Sequence, residues 1–269
     1  MTSKIIIQTD KTAEIREEWK PSPQSLREYL PGWEYQFYDD EKILEFVRVN
    51  YPELLETFLS YPHNIQRVDV FRYLKLYKDG GFYSDMDYKF THPLEELFYN
   101  EDGTPKEGEV FLMKSPNVGK YFTNSIMASK PGAKIWLDVI EEIKKDKKWW
   151  MVGRHLQVIG QTGPGMLDRV VKRKGYKYYG ITLLPVEKLS PCNICEVGVK
   201  KPDAWSENLP GGSWTSWDTK VYNWTFCNWK WLLLLVLIII VAIFLVIWFV
   251  KSSSVRNNDV ISEVKVNGV

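Results

Sequence analysis

The sequence has 269 residues, enough for one sizeable domain with an appendage. Its 35 Lys and Arg nearly balance its 34 Asp and Glu, so no global basic field is available to hold a nucleic acid. Three cysteines are too few for a disulfide scaffold, and the three His show no metal-type spacing to the Cys192-x-x-Cys195 pair.

Ile5-Ile6-Ile7 is a β-branched run that reads as a buried parallel strand. Pro21 and Pro23 mark a loop, with a helical turn or two over 25–30, and Trp33 to Tyr38 alternate as a second strand. Asp39 or Asp40 caps a helix to about Asn50, and Pro52 opens another over 52–61. Strand, helix, strand, helix in this order predicts an α/β fold with a mostly parallel central sheet. A helix over 64–78 follows, in which Asp69, Arg72 and Tyr73 stand at i, i+3 and i+4 and share a face. Gly80-Gly81 stops it, and Phe82-Tyr83 is a short strand that delivers Asp85 and Asp87 at its C-terminal end, the edge where open α/β sheets bind ligands.

Further on, 110–113 and 124–129 read as extended elements and 133–145 as a helix. The run 144–150 is basic and aromatic, either a solvated helix end or a membrane-surface contact. Thr162-Gly163-Pro164-Gly165 precedes a helix to Lys174, Leu183-Leu184 is a last strand, and 191–228 reads as loop.

The segment 231–250 carries no charge or polar break, and as a helix it rises about 30 Å, the thickness of a hydrocarbon core. Lys230 and Lys251 bracket it, and Trp229, Trp231 and Trp248 stand where interfacial aromatics belong. The N-terminus shows no h-region of a signal peptide. The expected organisation is a soluble domain over 1–220, a juxtamembrane linker over 221–230, a transmembrane helix over 231–250 and a polar tail over 251–269. Basic residues flank both ends of the span, so sidedness stays open.

An Asp-x-Asp at a strand end aims carboxylate oxygens at a hard divalent cation, which in turn holds the diphosphate of a sugar nucleotide. The chemistry this pattern suggests is glycosyl transfer.

Taken with their flanks, Arg67-x-Asp69-x-x-Arg72-Tyr73, Tyr77 and Gly80-Gly81-Phe82-Tyr83-x-Asp85-x-Asp87 resemble the sugar-binding region of glycosyltransferase family 32. That family includes initiation-specific mannosyltransferases and mannosyl-inositolphosphoceramide synthases. Lys4-Ile-Ile-Ile7-Gln8-Thr9, Asn124-Ser-Ile-Met127, Thr162-Gly163-Pro164 and Gly212-Ser213-Trp214 resemble further blocks in the expected order. The resemblance implies a GT-A-type fold, a Mn²⁺ or Mg²⁺ cofactor and a retaining reaction. Residue by residue, Asp87 is the main metal ligand, and Asp85 holds ribose or sugar or meets the metal through water. Asp69 and Arg72, with Tyr73 beside them, bind donor-sugar hydroxyls. Gln8 and Thr9 sit against the nucleotide, and Ser213 and Trp214 close over the diphosphate, Ser213 at the metal.

Two positions depart from the family pattern: Ile7 and Asn208 stand where His is usual. An amide oxygen still ligates a hard cation, so Asn208 joins the expected metal set. GDP-mannose is the favoured donor by analogy and a UDP-hexose the alternative. The expected partners are the bilayer and a lipid-linked acceptor such as inositol-phosphoceramide, or a glycan, in the Golgi or another endomembrane. A non-catalytic nucleotide-sugar-binding or scaffold subunit is the rival reading.

Overall fold

The strands, in chain order, are β1 (Ile5–Thr9), β2 (Glu34–Tyr38), β3 (Gly81–Ser84), β4 (Tyr88–Phe90), β5 (Val110–Lys114), β6 (Phe122–Ser129), β7 (Ile181–Leu184) and β8 (Ser206–Asn208). They come from a computed structural model that describes residues 3–117, 121–145, 151–190, 192–196, 201–212 and 215–266, with 252–266 as backbone only. Six strands form one sheet in the order β2-β1-β3-β6-β5-β7, and β4 pairs with β8 in a small second sheet. β1 is parallel to both β2 and β3, and β5 to β7, whereas β6 runs antiparallel to β3 and β5. The mostly parallel sheet expected from the strand–helix alternation is the sheet observed.

Alternation along the strands splits the core into two layers. Ile7, Tyr83 and Leu112 face one layer, with Phe71, Leu74 and Trp136 from the helices Asn64–Asp79 and Lys134–Ile143. Ile6, Phe82 and Phe111 face the other, with Leu26 of the helix Pro21–Tyr29. The chain leaves β1 for β2 on one side and later returns to place β3 on the other. The C-terminal ends of β1 and β3 therefore flank a topological switch point, where ligands of open α/β sheets bind.

Gly80 and Gly81 make the turn into β3 possible. Their φ angles are 69° and 104°, and a Cβ on either would come within 2.7 Å of a backbone oxygen, of Ser129 and Ile5 respectively. No other residue type satisfies both demands at once.

Several local expectations change. Pro21 begins a helix instead of a loop, because proline fits the first helical turn, where the N–H has no partner to lose. The expected helix over 52–61 is a 3₁₀ turn, Pro52–Leu54, followed by the short helix Leu55–Leu59. The stretch expected to be loop over 191–228 contains β8 and the start of the helix Trp217–Val266. That helix takes in the expected linker, because no Gly or Pro interrupts the sequence between 217 and 266 and an apolar helix propagates into its flanks. The run 146–150 lies outside the described residues.

The chain divides into the units Met1–Thr219 and Lys220–Val269. Within the helix, Trp217–Lys251 is the one segment among the described residues long and apolar enough to cross a membrane, and none of its apolar window is buried.

Candidate active site

Asp85 extends the β3–β6 ladder by one bond, its N–H donating to the Ser125 carbonyl at 2.8 Å. Met86 then turns into the core, and Asp87 precedes β4 in the small sheet. The Asp-x-Asp is thus the crossing between two sheets, and each carboxylate has a different neighbourhood.

Behind Asp85 lies a buried network. The Arg72 guanidinium reaches Asp85 Oδ1 with Nη1 at 3.3 Å and Asp69 Oδ1 with Nη2 at 3.5 Å. Arg72 Nη1 also donates to the Asn124 carbonyl at 2.6 Å, and the guanidinium lies 4.5 Å over the Tyr83 ring. Tyr83 OH donates to Asp85 Oδ1 at 2.7 Å and contacts Thr9 Oγ1 at 3.2 Å. Asp69 accepts from Asn124 Nδ2 at 2.8 Å and from Thr162 Oγ1 at 2.9 Å. Tyr73 OH donates to the Thr162 carbonyl at 2.8 Å and accepts from Asn124 Nδ2 at 2.9 Å. Asp69, Arg72 and Tyr73 are all at least nine-tenths buried, whereas the Asp85 side chain is 33% exposed. Asp85 is the outward face of this assembly.

Electrostatics follow from that burial. Burial pushes Asp69 up to about 6, with Arg72 and the Thr162 hydroxyl opposing. Burial also raises Asp85, again against Arg72. Arg72 itself is held charged: burial opposes its charge, but Asp85 and Asp69 more than offset this.

Asp87 has no such support. Its Oδ1 is buried without a hydrogen-bond partner, and burial together with the like charge of Asp85 lifts the carboxyl to about 7. An orphaned carboxylate oxygen of this kind is what a cation ligand looks like before the cation arrives. The loop after β8 packs on it. Leu209 N–H donates to the Asp87 carbonyl at 2.7 Å, and a Cβ on Gly211 would come within 2.5 Å of Asp87 Oδ2. Trp19 anchors the same loop through a hydrogen bond from Nε1 to the Pro210 carbonyl. Asn208 is exposed and faces Tyr88 across the β4–β8 pair, next to Asp87 in sequence register.

The fold therefore brings together Asp69, Arg72, Tyr73 and Asp85, sets Asp87 beside them, and joins Thr9 through Tyr83. Gln8 is fully buried: it accepts from Tyr35 and donates to Ser22 and, at 3.3 Å, to the Asp85 carbonyl. Ser213 and Trp214 lie outside the described residues. Among those residues, no three His, Cys, Asp or Glu side chains converge on one point. Sequence reasoning assigned no role to Tyr83, Asn124, Thr162 or Gly211. Tyr83 lies within the resembling motif, and Asn124 and Thr162 head two of the secondary blocks. What the sequence did not show was the contact of Asn124 and Thr162 with Asp69.

Residues 16–104 match the family described as "Glycosyltransferase sugar-binding region containing DXD motif". A mannosyl phosphorylinositol ceramide synthase of Saccharomyces cerevisiae is 33% identical over 66% of this chain and 43% of its own length. An inositol phosphoceramide mannosyltransferase of Schizosaccharomyces pombe is 36% identical over 60% of this chain and 44% of its own. The chain thus spans less than half the length of these relatives. Among solved structures, a PaToxG glycosyltransferase is similar with a TM-score of 0.47 and 16% identity, over 64% of this chain and 69% of that one. The resemblance to family 32 read from the sequence holds.

Proposed function

We propose that this chain, which carries a DXD-type glycosyltransferase sugar-binding region, is a membrane-anchored, metal-dependent retaining glycosyltransferase. It moves a hexose, mannose in first place, from a nucleotide-sugar to a lipid-linked acceptor of the inositol-phosphoceramide class, at an endomembrane. The observation that carries this reading is the outward pairing of a braced Asp85 with an Asp87 whose oxygen has no partner. The names of the two yeast relatives support the donor sugar and the acceptor class. The apolar helix within 217–251 supports the anchor, which raises the effective concentration of lipid-borne acceptors.

Asp87 and Asp85, with Asn208 and Ser213, would hold a Mn²⁺ or Mg²⁺ ion. Among the described residues no three acidic, His or Cys side chains converge, so amide and hydroxyl oxygens, the diphosphate and water would complete its coordination. Such an ion, when bound, neutralises charge that builds on the leaving diphosphate. The chain's own residues orient the donor. Asp85 accepts from ribose or sugar hydroxyls, with Arg72 and Tyr83 fixing its carboxylate. Arg72 supplies the fixed cation on the sugar side, and Asp69 holds it there. Thr9 lies on the nucleotide side, and Gln8 holds the strand end that carries Asp85. The acceptor hydroxyl attacks from the face of the leaving group, and its proton passes to the leaving phosphate oxygen.

The test is transfer of radiolabelled hexose from GDP-mannose, UDP-glucose and UDP-galactose to inositol phosphoceramide, by the full chain in mixed micelles with MnCl₂. Metal-dependent transfer that Asp87→Ala abolishes is the expected result. Equal, background-level turnover by wild type and Asp87→Ala with every donor would sink the catalytic reading.

A further inference from the structure

The block Thr162-Gly163-Pro164 has no part in the chemistry above, yet its first residue is tied to the site. Val158–Thr162 is a π-helical turn running directly into the helix Pro164–Lys174. Such turns are rare and collect at functional sites. One face of the helix Asn64–Asp79 lies along it. Gln66 Nε2 donates to Gln161 Oε1 at 3.1 Å, Thr162 Oγ1 donates to Asp69 Oδ2 at 2.9 Å, and Tyr73 OH donates to the Thr162 carbonyl at 2.8 Å. Positions 66, 69 and 73 are three and four apart, so they form a single stripe on that helix. From the other side Arg169 Nη2 donates to the Gly160 carbonyl at 2.7 Å and holds the turn in place.

The consequence falls on Asp69. One of its oxygens takes the Thr162 hydroxyl and the other takes Asn124 Nδ2, so the carboxylate has a single orientation. That orientation presents Oδ1 to Arg72 Nη2, and Arg72 Nη1 in turn faces Asp85. Thr162 is therefore the far end of a continuous chain of polar contacts that ends at the partly exposed Asp85 carboxylate. No part of the chain passes through Asp87.

We propose that Thr162 is a positioning residue that orients Asp85 through Asp69 and Arg72. The π-turn thereby sets the donor-binding geometry from behind, without touching a ligand. This rests on the donor reading above for its effect on binding, but the coupling itself is a property of the free protein.

Two measurements on the full chain in detergent micelles test it. In calorimetry with GDP-mannose and MnCl₂, Thr162→Val, which removes the hydroxyl at nearly constant volume, should weaken binding about tenfold. Thr162→Ser, which keeps the hydroxyl, should stay within about twofold of wild type. Thr162→Ala stands in if the valine variant does not fold. In thermal melts without ligand, Thr162→Val, Asp85→Asn and the double variant should give non-additive shifts in Tm, because coupled groups do not add. Additive shifts, or a Thr162→Ser variant as weak as Thr162→Val, overturn the inference. Wild type that binds no nucleotide-sugar, with non-additive melts, overturns the donor reading and leaves the relay standing.

Discussion

The two halves of the site are built on opposite terms. On the proposed sugar side, Asp69, Arg72, Tyr73 and Tyr83 are buried, and each carboxylate oxygen of Asp69 has its donor. On the proposed metal side, Asp87 is left with a bare buried oxygen and a loop pressed against it. A buried ion network is tolerable when its charges are matched, and on the proposed sugar side folding satisfies both Asp69 oxygens and matches Arg72 with Asp69 and Asp85, leaving Arg72 Nε without a partner. The proposed metal side keeps a buried carboxylate oxygen that folding alone leaves without a partner. On the proposed reading, the difference teaches where a ligand's binding energy would go: one half is preorganised, and the other would be completed by what binds.

The contrast breaks most severely at Arg72. Arg72→Met leaves the buried Asp69 and the partly exposed Asp85 without their cation, a loss of about 3–5 kcal/mol that falls mainly on Asp69. Denaturant melts should show it even without ligand, and an unchanged midpoint would mean the network bears no load. Asp87→Asn should do the reverse. Activity with Mn²⁺ falls at least about a hundredfold, while the metal-free protein becomes more stable at pH 8 by about 2–4 °C.

The sign of that second effect comes from the raised carboxyls. Asp69 near 6 and Asp87 near 7 both lie above the usual unfolded value. Their contribution to stability is thus full below the unfolded pKa and is lost as pH rises through about 6–7. Melts from pH 5 to pH 8 should show Tm falling, with the upper part of the fall absent in Asp87→Asn and removed in wild type by MnCl₂.

Gly211→Ala sharpens the comparison on a smaller scale. Its methyl group meets Asp87 Oδ2, so Mn²⁺ affinity should drop about tenfold with little change in Tm, as read by calorimetry. Tyr83→Phe is the mildest change. It removes one hydroxyl from Asp85 and should cost about 1 kcal/mol in stability and a severalfold rise in donor KM, with Mn²⁺ affinity preserved. A Tyr83→Phe variant that loses metal but keeps donor would show that the two halves are not separable.

Much of this was legible in the chain. The Gly80-Gly81 stop, the short strand to Tyr83 and the carboxylates that follow are local signals, and Asp69, Arg72 and Tyr73 share a helical face by spacing alone. Asn124 and Thr162 were visible only as unassigned blocks, because the contacts that give them meaning span 55 and 93 positions. Gly211 was silent for the same reason: its packing partner, Asp87, lies on another element. The loop expected over 191–228 failed where β8 forms, since a three-residue strand has no periodicity of its own and exists through its pairing with β4.

The sequence by itself determined the α/β class, the apolar C-terminal helix and the Asp-x-Asp at a strand's end, because each rests on short-range patterning of apolar residues, glycines and charges. Only the tertiary structure decided that Asp85 is braced and Asp87 is not. Burial and partner count fix how a carboxylate behaves, and both depend on residues brought together from β1, β6, the π-turn and the loop after β8. Two acids separated by one methionine are chemically alike on paper; the folded environment braces one of them and leaves the other with a buried oxygen that has no hydrogen-bond partner.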